Sequence, residues 1–244
     1  MNRCAVLLAL MLVAAPVLTQ AMPASSIVGS LTVQPVSHAT LALTSGETTI
    51  FVDPVGGGEA FAGLPGPDLI LITDIHGDHL DPETVAAVAR EGTAIVAPRS
   101  VAERLEGKGV KVLANGESIE AGGVSVEAVP MYNLTEERAQ YHAKGRGNGY
   151  VVTVGGLRVY ISGDTEDIPE MRALEGIDVA FVCMNLPYTM EVEKAADAVL
   201  EFKPRVVFPY HYRGQGGMSD LEKFRQIVSR DPEIDVRLLD WYPD

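Results

Sequence analysis

The chain has 244 residues and carries 19 Lys or Arg against 33 Asp or Glu, which gives a formal net charge of −14. Without a Lys/Arg cluster, this negative field argues against nucleic acid and anionic membrane surfaces, so no nucleic-acid partner is expected. The length suits one sizeable domain with a single core.

The N-terminal residues have the order of a secretory leader. One basic residue, Arg3, precedes an apolar run from Cys4 to Leu18, and small and polar residues follow. Small residues favour cleavage after Ala21, with Ala24 as the competing site. An uncleaved membrane anchor is the alternative, but about 15 apolar residues are short against the roughly 20 that span a bilayer.

This organisation predicts an exported protein, periplasmic or secreted, with a signal peptide at 1–21 and a single domain at 22–244. No later segment is long and apolar enough to cross a membrane, so no stable membrane insertion is expected after cleavage. The sequence does not indicate an oligomeric state.

The first half of the domain predicts short strands separated by turns. Apolar runs from Leu31 to Pro54 on either side of Ser45-Gly46-Glu47 indicate an antiparallel hairpin. The continuous apolar run 69–72 is typical of a strand covered on both faces. Asp81 followed by Pro82 predicts the start of a helix. Further strands are expected at 94–97, 110–113 and 124–129, and a helix at 100–106.

The second half continues with strands and helices in alternation. A polar loop at 132–149 is long enough to form a wall or lid, although a solvated loop is the alternative. Hairpins mixed with strand-helix-strand units predict an α/β (α+β) fold of two mixed sheets with helices outside. Strands are expected at 150–154, 157–162, 179–183, 206–209 and 236–239, and helices near Pro169 and at 191–202 and 220–229.

The strongest functional motif directly follows the predicted strand at 69–72. Imidazoles and carboxylates alternate there within six residues, and both groups are ordinary ligands of catalytic zinc that also suit manganese or iron. The residues are Asp74, His76, Asp78 and His79.

Two further polar residues lie at the ends of later strands. Asp164 follows the predicted strand at 157–162, and His211 follows the strand at 206–209. Taken singly, a strand-end Asp is often a helix N-cap and a lone His is more often a hydrogen-bonded structural residue. Three strand ends that each supply His or Asp together predict a metal site.

These motifs resemble the metal-binding signature of the metallo-β-lactamase superfamily. The likeness lies in the Asp-x-His-x-Asp-His run, the later Gly-Asp-Thr and the final Pro-Tyr-His, in the same order along nearly the whole mature chain. It implies a four-layer αββα sandwich and a hydrolase. More narrowly, His38, Asp53-Pro54 and the segment 190–209 resemble a branch that includes an L-ascorbate phosphate lactonase and N-acylphosphatidylethanolamine-type phospholipases.

The resemblance implies two adjacent metal positions bridged by Asp164. One position is complete, with Asp78, His79, Asp164 and His211 as its ligands. The cofactor is then one or two divalent ions, with zinc expected first and manganese or iron as alternatives.

The other position departs from the family pattern. Asp74 stands where the family has His, and Tyr132-Asn133 replaces a strand-end His, which leaves His76. Asp74 is expected to act as a weak oxygen ligand or as a base, and His142 is a candidate to replace the lost ligand. A ligand set with more oxygen atoms and fewer nitrogen atoms favours manganese, iron or magnesium over zinc at this position.

The resemblance implies hydrolysis by water that the metal activates, with Asp78, Asp74 and His142 as catalytic residues. The candidate bonds are a phosphodiester, a lactone and, less favoured, a β-lactam, in a small-molecule or lipid-like substrate, and the resemblance to the branch does not decide among them. The alternative is an exported metal- or ligand-binding protein with a degenerate site. Tyr188 and Tyr212 are candidates for lining the pocket, and His38 for a supporting place beside the metal, although each is as typical of packing.

Overall fold

Two seven-stranded sheets form the centre of the structure, a computed structural model that describes residues 24–106 and 109–242. Helices flank the sheets on their outer faces, which confirms the predicted αββα sandwich of two mixed sheets. Each sheet combines an antiparallel half with a parallel half.

The first sheet contains strands β1 to β7 in chain order. Strands β1 to β4 pair antiparallel, and β4 to β7 pair parallel. Their bounds are β1 Ser26–Val28, β2 Leu31–Ser37, β3 Thr40–Ser45, β4 Thr48–Val52, β5 Leu69–Leu71, β6 Ala94–Ala97 and β7 Val110–Val112.

The second sheet repeats this layout. Its first four strands pair antiparallel and the remainder pair parallel. In spatial order its strands are β8 Ser118–Ala121, β9 Val124–Met131, β10 Gly147–Val154, β11 Leu157–Ile161, β12 Val179–Cys183, β13 Val206–Tyr210 and β16 Asp235–Val236, and a small hairpin of β14 Arg213–Gly214 and β15 Gly217–Met218 lies outside it.

The helices are short, from 4 to 11 residues, so their stability comes mostly from packing against the sheets. The predicted helix start at Asp81 is confirmed, since the Asp81 carboxylate accepts a hydrogen bond from the backbone N–H of Glu83. The helices are α1 Pro82–Val88, α2 Arg99–Arg104, α3 Glu136–Ala139, α4 Pro169–Arg172, α5 Val192–Phe202 and α6 Leu221–Val228, with a 3-10 turn at Gly58–Phe61.

Alternation along the strands separates the two core regions, because successive side chains point to opposite faces of a sheet. In β5, Leu69 and Leu71 belong to the main core, which includes the space between the sheets. Ile70 belongs instead to a smaller cluster with Val85 of α1 and Val101 of α2. The uninterrupted apolar run 69–72 therefore reflects burial on both faces, as predicted.

The structure differs from the predicted elements in several places. Strands β1, β8, β14 and β15 are additional, and the strand expected at 236–239 ends at Val236. Beyond it the chain leaves the sheet, and Trp241 is buried with its ring near those of Phe181 and Tyr210. The predicted loop 132–149 contains α3, and β10 already begins at Gly147.

The early start of β10 follows from tertiary pairing. Gly147 and Asn148 have low strand propensity, which is why a loop was expected there. They nevertheless pair in register with Met131 and Pro130 of β9, so the neighbouring strand overrides local preference.

The predicted signal peptide at 1–21 lies outside the described residues. Among the helices formed by residues 24–106 and 109–242, none has the length and apolar character needed to cross a membrane.

Leu43 offers a test of the core between the sheets. It is fully buried, so Leu43→Ala is expected to lower the free energy of unfolding by about 2–5 kcal/mol through lost burial and the cavity left behind. Ile27, 66% exposed on β1, is the control, and Ile27→Ala is expected to cost less than about 1 kcal/mol. Urea denaturation measures both, and equal losses would contradict the packing described here.

Candidate metal centre

Polar side chains follow the strands of both sheets at the point where the parallel halves begin. Asp53 follows β4, the segment 74–79 follows β5, Asp164 follows β11, Asn185 follows β12 and His211 follows β13. Carboxyl ends of parallel strands are where α/β sheets build sites. Here both sheets bring such ends to the same edge of the sandwich.

Three of the predicted ligands form a first cluster. Asp78, His79 and His211 offer ligand atoms that all lie within 4.8 Å of one another. Asp164 adjoins this cluster, with Oδ2 3.5 Å from His79 Nε2 and Oδ1 3.4 Å from His211 Nε2. The structure thus brings together all four residues expected at the complete position.

Asp74, His76 and His142 form a second cluster of the same tightness. Its link to the first cluster is again Asp164, whose Oδ2 lies 3.3 Å from His142 Nε2. One carboxylate therefore faces both clusters, which is the geometry expected of a bridging ligand.

Several polar atoms at this junction are buried without a hydrogen-bond partner among the described residues. They include His79 Nε2, His142 Nε2, Asp164 Oδ1 and His211 Nδ1. Unpaired buried polar atoms are costly and rare, so a set of them converging on one carboxylate calls for a missing partner. Nitrogen and carboxylate oxygen donors in this arrangement fit a divalent metal.

The charges of the first cluster show the field that such a cation would meet. Burial raises the pKa of Asp164, but His211 and His79 outweigh it and hold that pKa well below its usual range. Burial lowers the pKa of His211, but Asp164 and Asp78 raise it to about 9. Burial likewise lowers the pKa of His79, yet Asp164 and Asp53 raise it well above its usual range. In the metal-free site, protonated His79 and His211 therefore supply the positive charge that balances Asp164.

Asp53 supports His79 and was not among the predicted site residues. Its Oδ2 lies 2.8 Å from His79 Nδ1, and its carboxylate accepts hydrogen bonds from the backbone N–H and the hydroxyl of Thr73. A carboxylate on the second ring nitrogen fixes the tautomer and orientation of a metal-binding histidine. The signal available in the sequence was a strand-end Asp, which alone is common.

His142 is held by a different acceptor. Its Nδ1 lies 3.2 Å from the carbonyl oxygen of Tyr188 and 3.2 Å from Asn133 Nδ2. The Asn133 amide nitrogen donates to the carbonyls of Tyr188 and Arg138, so the Tyr188 carbonyl is the acceptor for an Nδ1 proton. The tautomer assigned by these contacts leaves the lone pair on Nε2.

The segment that carries His142 is ordered by a buried carboxylate. Glu166 accepts hydrogen bonds from the backbone N–H groups of Leu134 and Thr135, and from the side chain of Arg138. The predicted polar loop is therefore a fixed wall of the site.

A cavity of about 270 Å³ opens onto both clusters. Tyr188 lines it as predicted, whereas the Tyr212 hydroxyl donates to the carbonyl of Leu239 and so serves packing. His38 has its ring 5.6 Å from that of His211 and supports the site from outside the cavity lining. The lining residues are His76, Asp78, Tyr141, His142, Asp164, Asn185 and Tyr188.

Comparison with known proteins agrees with this fold and site. Residues 32–211 match the model of the Beta-lactamase superfamily domain, so the chain is a member of the metallo-β-lactamase superfamily. Within it, the chain belongs to the UPF0173 metal-dependent hydrolase family. It is 33% identical over 201 residues to the UPF0173 metal-dependent hydrolase of Thermococcus onnurineus, a match that covers 78% of this chain and 88% of that relative.

Solved structures give the same picture. A crystal structure described as a metal-dependent hydrolase from Parabacteroides distasonis shares 43% identity, with a TM-score of 0.78 over 88% of this chain and 97% of that chain. Igni18, a metallo hydrolase from Ignicoccus hospitalis, has a TM-score of 0.73 at 22% identity, covering 87% of this chain and 96% of its own, and supports the fold alone.

The superfamily resemblance and the expectation of a metal-dependent hydrolase are thus confirmed. The narrower likeness to the lactonase and phospholipase branch finds no support in these relatives and stays a prediction.

Metal uptake should release protons. His211, with a pKa of about 9, is mostly protonated near pH 7 in the metal-free chain, and a ligating imidazole must be neutral. Metal affinity is therefore expected to rise with pH and to level off above about pH 9. The stability that protonated His211 gives the metal-free fold is lost over the same rise, because its folded-state pKa is raised.

Isothermal titration calorimetry with zinc in two buffers of different ionisation enthalpy counts these protons. At least one proton should be released per ion near pH 7. Binding with no proton release would contradict the charge state assigned to His211.

Proposed function

We propose that this metal-dependent hydrolase cleaves a lactone, a phosphodiester or a related ester bond in a small-molecule or lipid-like substrate. The observation that carries the proposal is the buried Asp164 carboxylate between two clusters of unpaired imidazole nitrogens. A centre of this kind suits water as the nucleophile, so no Ser or Cys nucleophile is required.

The proposed ligands divide into two positions that share Asp164. One consists of Asp78, His79, Asp164 and His211, and the other contains His76 and His142. Zinc is the expected ion, with manganese or iron as alternatives. When bound, a divalent cation lowers the pKa of water and withdraws charge from the scissile group.

Side chains that line the cavity are proposed to orient the attacking water and to bind the substrate. Asp78 is 43% exposed at its side chain, so besides its proposed ligand role it is placed to orient the attacking water. Asn185 Nδ2, 3.3 Å from His211 Nε2, is a donor suited to orienting a substrate oxygen. Tyr141 and Tyr188 pack edge to face at 5.2 Å and offer an aromatic wall for an apolar substituent.

A binding protein with a degenerate site is not favoured. The relatives are named hydrolases, and His142 occupies the space beside Asp164 where a ligand was lacking in the sequence pattern. We propose that His142 compensates the altered motif from another segment.

The bond cleaved is proposed from the narrower resemblance. Lactones and phosphodiesters are the substrates to test first, because His38, Asp53-Pro54 and the segment 190–209 resemble the lactonase and phospholipase branch. β-Lactams are the least favoured of the three substrate classes.

We also propose that the chain is exported and acts in the periplasm or outside the cell. Support comes from the order of Arg3, the apolar run and the small residues up to Ala24 in the sequence.

Hydrolysis of a lactone and of a phosphodiester should be abolished by chelator and restored by zinc or manganese. Changes beyond the ligands of a metal already cost about 10–100-fold, so loss of the shared ligand in Asp164→Asn should lower kcat/KM by more than about 100-fold. Asp235→Asn, at an exposed carboxylate paired with Arg237, is the control and should retain activity. Turnover that survives chelation and Asp164→Asn would overturn the proposal.

Expression of the full chain in a bacterial host tests export. N-terminal sequencing of the periplasmic fraction should begin at Met22, after cleavage behind Ala21, or at Ser25 if the competing site is used. An intact N-terminus retained in the cytosol would contradict export and leave the hydrolase assignment unaffected.

A further inference from the structure

Asp74 is where this chain departs from the metal-binding pattern, and its hydrogen bonds are distinctive. The side chain is fully buried. Arg146 Nε donates to Oδ1 at 3.1 Å, and Arg146 Nη2 donates to Oδ2 at 2.8 Å. His76 Nδ1 also lies 2.8 Å from Oδ2. By distance alone, Asp74 is a possible metal ligand together with His76 and His142. Its hydrogen-bond partners indicate whether it has that role.

Arg146 is fixed on its far side as well. Its Nη2 also donates to the carbonyl of Tyr141, and its own carbonyl accepts a hydrogen bond from Ser100 Oγ at 2.7 Å. A guanidinium remains charged at any physiological pH and matches a carboxylate with two parallel bonds. A metal ion on Asp74 would have to break this pairing or lie beside a fixed positive charge, both of which are unfavourable.

Two of the other imidazoles show what Asp74 does instead, whereas the third, His211, has no hydrogen-bond partner for its Nδ1 among the described residues. His79 has its Nδ1 against the Asp53 carboxylate, and His142 has its Nδ1 against the Tyr188 carbonyl. In both rings an oxygen outside the cluster takes Nδ1, and Nε2 is the nitrogen near Asp164. His76 follows the same rule when Asp74 is the oxygen that takes its Nδ1.

We infer that Asp74 and Arg146 form a positioning pair: Arg146 holds Asp74, and Asp74 accepts a hydrogen bond from His76 Nδ1, so that His76 Nε2 binds the ion while Asp74 stays outside the ligand set. The inference rests on the proposed function and deepens it. The second position then has His76, His142 and Asp164 as its protein ligands, a number typical of catalytic sites that keep a coordination place for water or substrate.

Cobalt substitution shows whether Asp74 is a metal ligand or only positions His76, because the visible absorption of bound Co²⁺ reports the type and number of its ligands. Asp74→Asn should keep the number of bound ions and the spectrum per ion, and should weaken cobalt affinity by about 10–100-fold. Asp53→Asn is the matched control, since it alters the same kind of support behind His79. His142→Ala removes a proposed ligand and should change the spectrum or lose one ion.

Arg146 is tested through the same readouts. Arg146→Gln should weaken cobalt affinity with the spectrum per ion retained, and Arg146→Lys, which keeps the charge, should recover part of that loss. These two variants also carry the test if Asp74→Asn fails to fold by circular dichroism.

An altered spectrum or a lost ion in Asp74→Asn, with both retained in Asp53→Asn, would make Asp74 a ligand and overturn the inference. Unchanged affinity in Arg146→Gln would overturn it as well. Either result leaves the proposed function standing if the wild-type chain binds cobalt and hydrolyses its substrate. A wild-type chain that takes up no cobalt would overturn the proposed metal centre and the positioning pair together.

Discussion

The buried carboxylate of Asp164 is the constraint on which the site depends. An ionised carboxylate removed from water is very unfavourable unless charge and hydrogen bonds compensate it. The compensation comes from His79 and His211, whose Nε2 atoms lie 3.5 and 3.4 Å from its two oxygens. Neither ring can turn away without leaving Asp164 uncompensated, so the arrangement that suits a cation is also the one that makes the buried charge tolerable.

The sandwich explains how such distant residues meet. Asp53 and His79 lie after strands of the first sheet, and Asp164 and His211 lie after strands of the second. Because each sheet changes from antiparallel to parallel pairing at β4 or β11, both place polar strand ends at the same edge. His211 and Asp53 adopt positive φ angles of 45°, a conformation rare outside glycine, directly after their strands. Such strain persists where surrounding structure fixes it, as at functional sites.

Local patterns predicted the parts of this site that lie in continuous motifs. The run from Asp74 to His79 and the residues Asp164 and His211 follow apolar strands, and strand ends can be recognised in a sequence. The partners that give them their roles are distant: Asp53 lies 26 residues before His79, and Arg146 lies 72 residues after Asp74. These pairings form only when the sheets pack, so periodicity and local propensity do not contain them. The β10 start at Gly147 was missed for the same reason.

The two clusters share one pattern of burial, and this bears on their chemistry. Each contains two buried side chains and one that reaches the cavity: Asp78 is 43% exposed beside His79 and His211, and His76 is 40% exposed beside Asp74 and His142. The buried side chains would hold each ion in place, and the open side of each position is where water or substrate would enter. Asp164 lies between the two clusters, so one carboxylate would connect both positions to the same cavity.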